Sequence, residues 1–335
     1  MCWTWGNDDG LPILFDCNDA YVAERFASNH KFNGLGAVIA SHMDRDHIRG
    51  IVPFLLNHFG AGRRIEQLVI GIDRQPTRSE SQEIATLIQQ ALMWHQTPPC
   101  PGFRLVDPTR TAAPLVIASG TDWSVELVLP FYAARLRAAS GRGDDPNLCS
   151  AVLRVQRAGT SMLIGGDAPL GSWERLEARY LRAAAIRVPH HAGVLEQGDR
   201  WKQVSDLYGA VDAAHAFVSV GTNNAYGHPL REHLEATRVP ACRVRCTQLT
   251  TRCHPDPLRV REEALRIGAA VSWPYRHKAK PGDPRRPAPT NEAPCAGSMV
   301  ASIDSKGLLE VHPPKGGDHD AFIGKIAYPI CAPAP

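Results

Sequence analysis

The chain reads as an α/β protein in which two β-sheets pack face to face with helices outside, followed by a small β module. Three observations carry that reading. Through residue 262 the apolar patterning alternates as β-rich, helical, β-rich and helical again; several of the β-branched runs stop at a His or Asp; and beyond residue 262 the chain turns Pro-rich and basic before a short hairpin pattern returns. The expected organisation is a main domain over 1–262, a basic linker over 263–294 and a hairpin tail over 295–335. At 335 residues and 44% hydrophobic content the chain can bury a large core.

Residues 11–16 read as a strand and 20–30 as a short helix, with a second strand over 35–41. Ile48, Ile51, Val52, Leu55, Leu56 and Phe59 recur at helical spacing, and Gly60-Ala61-Gly62 ends that helix. Ile65 to Ile72 is the next strand. Ser79 and Gln82 form a capping box ahead of Ile84, Leu87, Ile88, Ala91 and Leu92. Residues 97–112 read as Pro-rich loop, Leu115–Ser119 with Trp123–Leu129 as a hairpin, and 140–146 as a polar loop. Leu148–Gln156 and Ser161–Ile164 make a second hairpin. Leu170, Trp173, Leu176, Tyr180 and Leu181 mark one helix behind it. In the tail, Met299–Asp304 and Leu308–Val311 flank Ser-Lys-Gly as a small hairpin, with the apolar run Phe322–Tyr328 after it.

Charge is close to balanced, 37 basic against 34 acidic residues or +3, which does not by itself announce a nucleic-acid binder. No apolar run approaches the roughly 18 residues needed to span a bilayer, and Met1-Cys-Trp-Thr-Trp lacks the basic start of a secretory signal, so a cytoplasmic location is expected. Nine cysteines in a reducing compartment argue against a disulfide framework. Several cluster late, and Cys246, Cys253, Cys295 and Cys331 could pin the tail through a structural Zn²⁺; buried free thiols are the alternative.

The chemistry concentrates in Ser41-His-Met-Asp-Arg-Asp-His-Ile-Arg-Gly50, where His42, Asp44, Asp46 and His47 fall directly behind an apolar run. A divalent cation needs lone pairs converging from a rigid base, and a strand turning abruptly into a helix supplies one. Three further runs end in the same way. Ser161 to Gly166 delivers Asp167; Ala185 to Pro189 delivers His190 and His191; Ala216 to Gly221 leads to His228 before Pro229. Each could be local structure, a cap or a turn. Together they make sense if these strand ends line one rim and gather a metal.

The order Ser-His-x-Asp-x-Asp-His-x-x-Gly, Asn147-x-x-Ser150, Gly166-Asp167, Val-Pro-His-His and Ser-x-Gly-x-Asn-x-Tyr-Gly-His-Pro resembles the metallo-β-lactamase fold, over about residues 11 to 240. More narrowly it resembles the soluble hydrolase domain attached to the competence protein ComEC. The resemblance implies an αββα four-layer sandwich. It departs from the family at the start, where only Trp5 to Gly10 precedes the first strand in place of Gly-Gln-Gly-Asp, so that strand is expected to be short or to lie upstream. The membrane channel that usually accompanies the domain is missing, and action as a free protein or with a separate partner protein is expected.

By the same resemblance His42 and Asp44 would serve one cation, Asp46, His47 and His191 a second, and Asp167 would bridge them, with Asn147 and Ser150 standing where relatives carry a further His. His190 would orient its neighbour, although which of the pair binds metal stays open. His228 would donate a proton to the leaving oxygen or grip a phosphate. Such a pair of cations activates water against a phosphoryl group. The oxygen-rich donor set favours Mn²⁺ or Zn²⁺. The implied substrate is a phosphodiester, single-stranded DNA first, with a small phosphodiester or nucleotide as the same-fold alternative and a non-catalytic partner-binding module as the alternative of another class.

Overall fold

Why these residues form these elements is clearest where apolar spacing meets a turn signal. The structure, a computed structural model, describes residues 1–5, 10–71, 81–108, 114–129, 146–196, 198, 200–221, 224, 226–238, 242–250, 252–253, 295–314, 317–325 and 331. It is a mixed α/β protein with several sheets, divided into two compact units: residues 1–155 with 166–168, and residues 156–165 with 169–335.

In the first unit, β1 (Cys2–Thr4), β2 (Ile13–Phe15), β4 (Ala37–Ala40), β6 (Gln67–Ile70) and β7 (Arg104–Val106) form one sheet in that order. The first pair is antiparallel and the remaining pairs are parallel. β1 is only three residues long. The strand expected over 35–41 is two pieces, β3 (Gly34–Leu35) and β4, and β3 pairs with β5 (Arg64–Ile65). β7 falls inside the stretch expected to be loop. Pairing of Gln67–Val69 with Arg104–Val106 overrides the surrounding prolines, which flank the strand without entering it.

α1 (Ala20–Asn29) starts at Asp19, whose carboxylate accepts the Val22 N–H at 3.2 Å. After α2 (Arg45–Ile48), α3 (Ile51–Gly60) opens at Gly50 and buries Ile51, Val52, Phe54 and Leu55. Each such side chain contributes about 1.5–3 kcal/mol on removal from water. Pro53 is tolerated because first-turn N–H groups have no intrahelical partner. A side chain at Gly50 would meet the Ala20 and Asp19 nitrogens at 2.7 and 2.8 Å, so only glycine lets the chain pass there. Leu14, Val38, Phe54, Leu68 and, from α4 (Ser81–Gln96), Leu87 and Trp94 share one core. Ser79 of the expected capping box lies outside the described residues. β8 (Leu115–Ser119) and β9 (Trp123–Leu129) form the expected antiparallel hairpin, with a bulge between Val116 and Ala118. The polar loop over 140–145 is outside the described residues.

β10 (Val152–Arg157) leads through Ala158 and Gly159, both at positive φ, into β11 (Thr160–Gly165) of the second unit. There β11, β12 (Ala185–Arg187), β13 (His215–Val218) and β14 (Arg243–Cys246) run parallel in sequence order. The single helix expected from Leu170 to Leu181 is two short ones, α5 (Leu170–Trp173) and α6 (Ala178–Leu181). Leu170, Trp173 and Leu176 are buried, but α6 buries nothing. The apolar period thus loses its core after Leu176, and the helix stops. α7 (Trp201–Val211) and β14 are additional to the elements expected from the sequence, although buried Val204, Leu207, Tyr208 and Val211 carry a clear helical period. α8 (Arg231–Thr237) follows His228. The linker over 263–294 lies outside the described residues. The tail hairpin is observed as antiparallel β15 (Val300–Ile303) and β16 (Leu309–His312), and Phe322 belongs to a helix, α9 (Asp318–Ile323). Among the described residues no helix is long and apolar enough to cross a membrane.

Candidate metal centre

β4 ends at Ala40, and the next seven residues place two imidazoles side by side, His42 and His47, with ring centroids 4.1 Å apart. Asp44 sits at the N-cap position of α2 yet makes no side-chain capping hydrogen bond. Its Oδ2 instead lies 3.4 Å from His42 Nε2. Asp46 Oδ2 lies 3.6 Å from His47 Nε2. Asp167 stands between the two rings: Oδ2 is 3.8 Å from His42 Nε2, and Oδ1 is 3.5 Å from His47 Nε2. One donor atom each from His42, His47 and Asp167 falls within 4.8 Å of the others, and all three residues are buried.

Asp16 and Ser41, which the sequence did not single out, and Ser150 and Asn147, which it did, hold this arrangement. Pairing of β2 with β4 sets Phe15 beside Ile39, which carries Asp16 to the end of β4. Asp16 is buried; Oδ1 accepts the Ser41 N–H at 2.8 Å, and Oδ2 lies 2.8 Å from His47 Nδ1. With Nδ1 committed to a carboxylate, His47 presents Nε2 to Asp46 and Asp167, the orientation a metal-binding His requires. Ser41 Oγ lies 3.0 Å from His42 Nδ1 and 3.1 Å from His47 Nδ1. Ser150 Oγ accepts the Asp167 N–H at 2.7 Å, so this residue positions the carboxylate. The Asn147 carbonyl in turn accepts the Ser150 N–H at 2.8 Å. The only signal for Asp16 in the sequence was its place at the end of an apolar run, the feature that marked the other four segments.

Donor chemistry and electrostatics fit a divalent cation. His42 Nε2 is buried and makes no hydrogen bond while facing two carboxylates. Burial would depress the His47 imidazole, but the negative charges of Asp16 and then Asp167 outweigh it and raise it to about 10. The pocket therefore carries surplus negative charge that attracts a positive one, whether a proton or a metal.

In the second unit, Val188 N–H bonds the Phe217 carbonyl at 2.9 Å, and this register delivers His190 and His191 beside the end of β13. Both have positive φ, 50° and 52°, followed by Ala192 at 61°. Three consecutive non-glycine residues in the left-handed region cost on the order of 1–2 kcal/mol each, strain of the kind kept at functional positions. His191 Nδ1 lies 2.5 Å from the Ser219 carbonyl, and His190 Nδ1 lies 2.8 Å from that of Val194. In each ring the carbonyl makes Nδ1 the donor. His228 stacks near His191 at 6.4 Å between centroids and stands 5.5 Å from His190. Asn224 clamps its loop: Oδ1 accepts the His228 N–H at 2.7 Å, and Nδ2 donates to the His228 carbonyl at 2.8 Å. His233 is a buried structural residue between Tyr208 Oη at 2.7 Å and the Gly193 carbonyl at 2.6 Å.

The chain matches no protein-family model and no curated protein. Among solved structures it is similar to the metallo-β-lactamase fold protein YhfI from Bacillus subtilis, with 11% identity over 72% of this chain and 90% of that one and a TM-score of 0.39. It is also similar to the short form of human tRNase Z, with 12% identity over 63% and 82% of the two chains and a TM-score of 0.36. A third similarity is to a diphosphatase of the PhnP family, 13% identical over 62% and 68%, with a TM-score of 0.32.

Proposed function

We propose that this chain is a metal-dependent hydrolase of the metallo-β-lactamase type that cleaves phosphodiester bonds, with single-stranded DNA as the first substrate to test. The observation that carries the reading is Asp167 between His42 and His47, one carboxylate oxygen toward each ring, each ring also facing its own aspartate. A single cation needs only one such set; two sets sharing one carboxylate suit a pair. His42 and Asp44 are assigned to one cation, Asp46, His47 and His191 to the other, and Asp167 to both.

When bound, divalent cations of this kind lower the pKa of an attacking water and neutralise charge growing on the phosphoryl oxygens. The protein's part is orientation. Asp16 and Ser41 hold His47 and His42 in register, and Ser150 fixes Asp167 through its backbone N–H. His228, its loop clamped by Asn224, is assigned to protonate or grip the departing oxygen. His190, whose Nδ1 is fixed on the Val194 carbonyl, is assigned to orient His191.

Purified protein incubated with labelled single-stranded DNA and with bis-p-nitrophenyl phosphate, each with Mn²⁺, Zn²⁺ or chelator, tests the proposal. Metal-dependent polymer cleavage supports the nuclease. Turnover of the small ester alone replaces it with a small-phosphodiester hydrolase, and silence with every metal removes catalysis from the reading. Asp46→Ala and Asp167→Ala are expected to lose turnover while keeping the fold, and activity persisting in both would overturn the ligand assignment.

A further inference from the structure

Within the second unit a separate group of metal-type donors gathers where the tail meets β14. Cys246 closes that strand and is fully buried. The Thr247 carbonyl accepts N–H groups from Cys295 and Gly297, both at 3.0 Å, and the Cys246 carbonyl accepts that of Ala296 at 2.9 Å. These bonds seat the start of the tail on the end of the strand. Cys295 is fully buried there, and Cys331 is 6% exposed. The buried Cys331 side chain neighbours both Cys246 and Cys295. α9 adds a residue the spacing of cysteines could not suggest: His319, 4% exposed, points Nε2 at Cys295 Sγ, 3.5 Å away. Its Nδ1 faces Asp320 Oδ1 at 3.3 Å. A carboxylate behind one ring nitrogen with a thiol in front of the other is how a metal-binding His is held.

We propose that Cys246, Cys295, Cys331 and His319 bind a structural zinc ion that fastens the tail module to the end of β14. Three sulfurs and one imidazole are a donor set suited to tetrahedral Zn²⁺, which would draw them to bonds of about 2.3 Å for sulfur and about 2.0 Å for nitrogen. Cys253, the fourth ligand that sequence alone nominated, is buried close by, but its sulfur is engaged at 3.6 Å with Thr250 Oγ1. His319 takes its place.

The module's interior argues that something must hold it. Among the described residues between 295 and 331, the buried side chains are Cys295, Ala296, His319, Phe322 and Cys331, while Val300, Ile303, Leu309 and Val311 of the hairpin are half-buried. A two-stranded hairpin contributes little stability by itself, and small modules of this kind are commonly pinned by disulfides or metal. Cys246, Cys295 and Cys331 form no disulfide, so their sulfurs suit a metal.

The proposal concerns a site distinct from the His/Asp centre and stands whether or not that centre is catalytic. Its test uses the full chain purified without chelator, with zinc release by an organomercurial read by a chromogenic chelator after exchangeable metal has been removed. The mercurial attacks thiolate ligands and spares the His/Asp centre. About one zinc per chain is expected from the wild type and from Cys253→Ala. Cys331→Ser and His319→Ala should release none or bind at least tenfold more weakly. Cobalt substitution of the wild type gives a second readout that needs no variant to fold: sulfur-to-cobalt charge-transfer bands together with tetrahedral d–d bands. No mercurial-released zinc and no such bands would overturn the proposal, as would loss of the metal in Cys253→Ala with retention in His319→Ala.

Discussion

Replacing Asp16 by Asn removes one charge while keeping the side chain's size. Asn tolerates the left-handed backbone of this position, where φ is 59°, so the fold is expected to survive. The consequence lies in hydrogen-bond direction. The carboxylate accepts from the Ser41 N–H and faces His47 Nδ1, both at 2.8 Å. An amide has only one acceptor oxygen for these two positions. If it keeps Ser41, its NH₂ faces His47 Nδ1 and drives the ring proton to Nε2, the atom aimed at Asp46 and Asp167. That tautomer cannot ligate. Loss of an outer partner of this kind lowers metal affinity about 10–100-fold. The same factor is about 1.4–2.7 kcal/mol of binding free energy. Calorimetric titration of Mn²⁺ and Zn²⁺ into metal-free wild type and Asp16→Asn measures it, with circular dichroism confirming the fold. An affinity within twofold of wild type in the folded variant would refute the role assigned to Asp16.

Gly166→Ala tests the same centre without touching a donor: its new Cβ would meet Ser150 Oγ at 2.5 Å, the Ala151 carbonyl at 2.7 Å and Ser41 Cβ at 2.8 Å. Relief requires movement of the segment carrying Asp167, so thermal denaturation should show a loss of about 1–3 kcal/mol, accompanied by weaker metal binding. His233 predicts an acid limit to stability. Burial is the main cause of its fall from 6.5 to about 4, with the neighbouring His190 and His228 adding to it and the Gly193 carbonyl opposing it. Because the folded protein resists a proton that the unfolded chain accepts, stability is fully present above pH 6.5 and is lost as pH falls through about 4. The full effect is about 3 kcal/mol. Urea midpoints in chelator from pH 7.5 to 4 should fall more steeply for wild type than for His233→Phe, and parallel profiles would contradict the assignment.

Much of the architecture was readable because it is written in neighbouring residues. The β8–β9 and β15–β16 hairpins, α1 and the apolar face of α3 follow periods of two or 3.6 residues, and the motif over 41–50 announced its donors through their density. The same kind of local signal marks α7, which carries a full helical period, and Asp16, which ends an apolar run. Other features had no local signal. β7 exists because β6 offers it an edge, and the helix expected over 170–181 breaks because its second half has nothing to pack against.

By itself the sequence determined which side chains could ligate a cation and on which kinds of element they sit, since donor type and periodicity are local properties. Only the tertiary structure decided their company: Asp16 reaches His47 across 31 residues, Ser150 reaches Asp167 across 17, and His319 meets Cys295 across 24. Those meetings depend on strand order and register, which arise from the packing of distant apolar faces and leave no imprint on the spacing of the donors themselves.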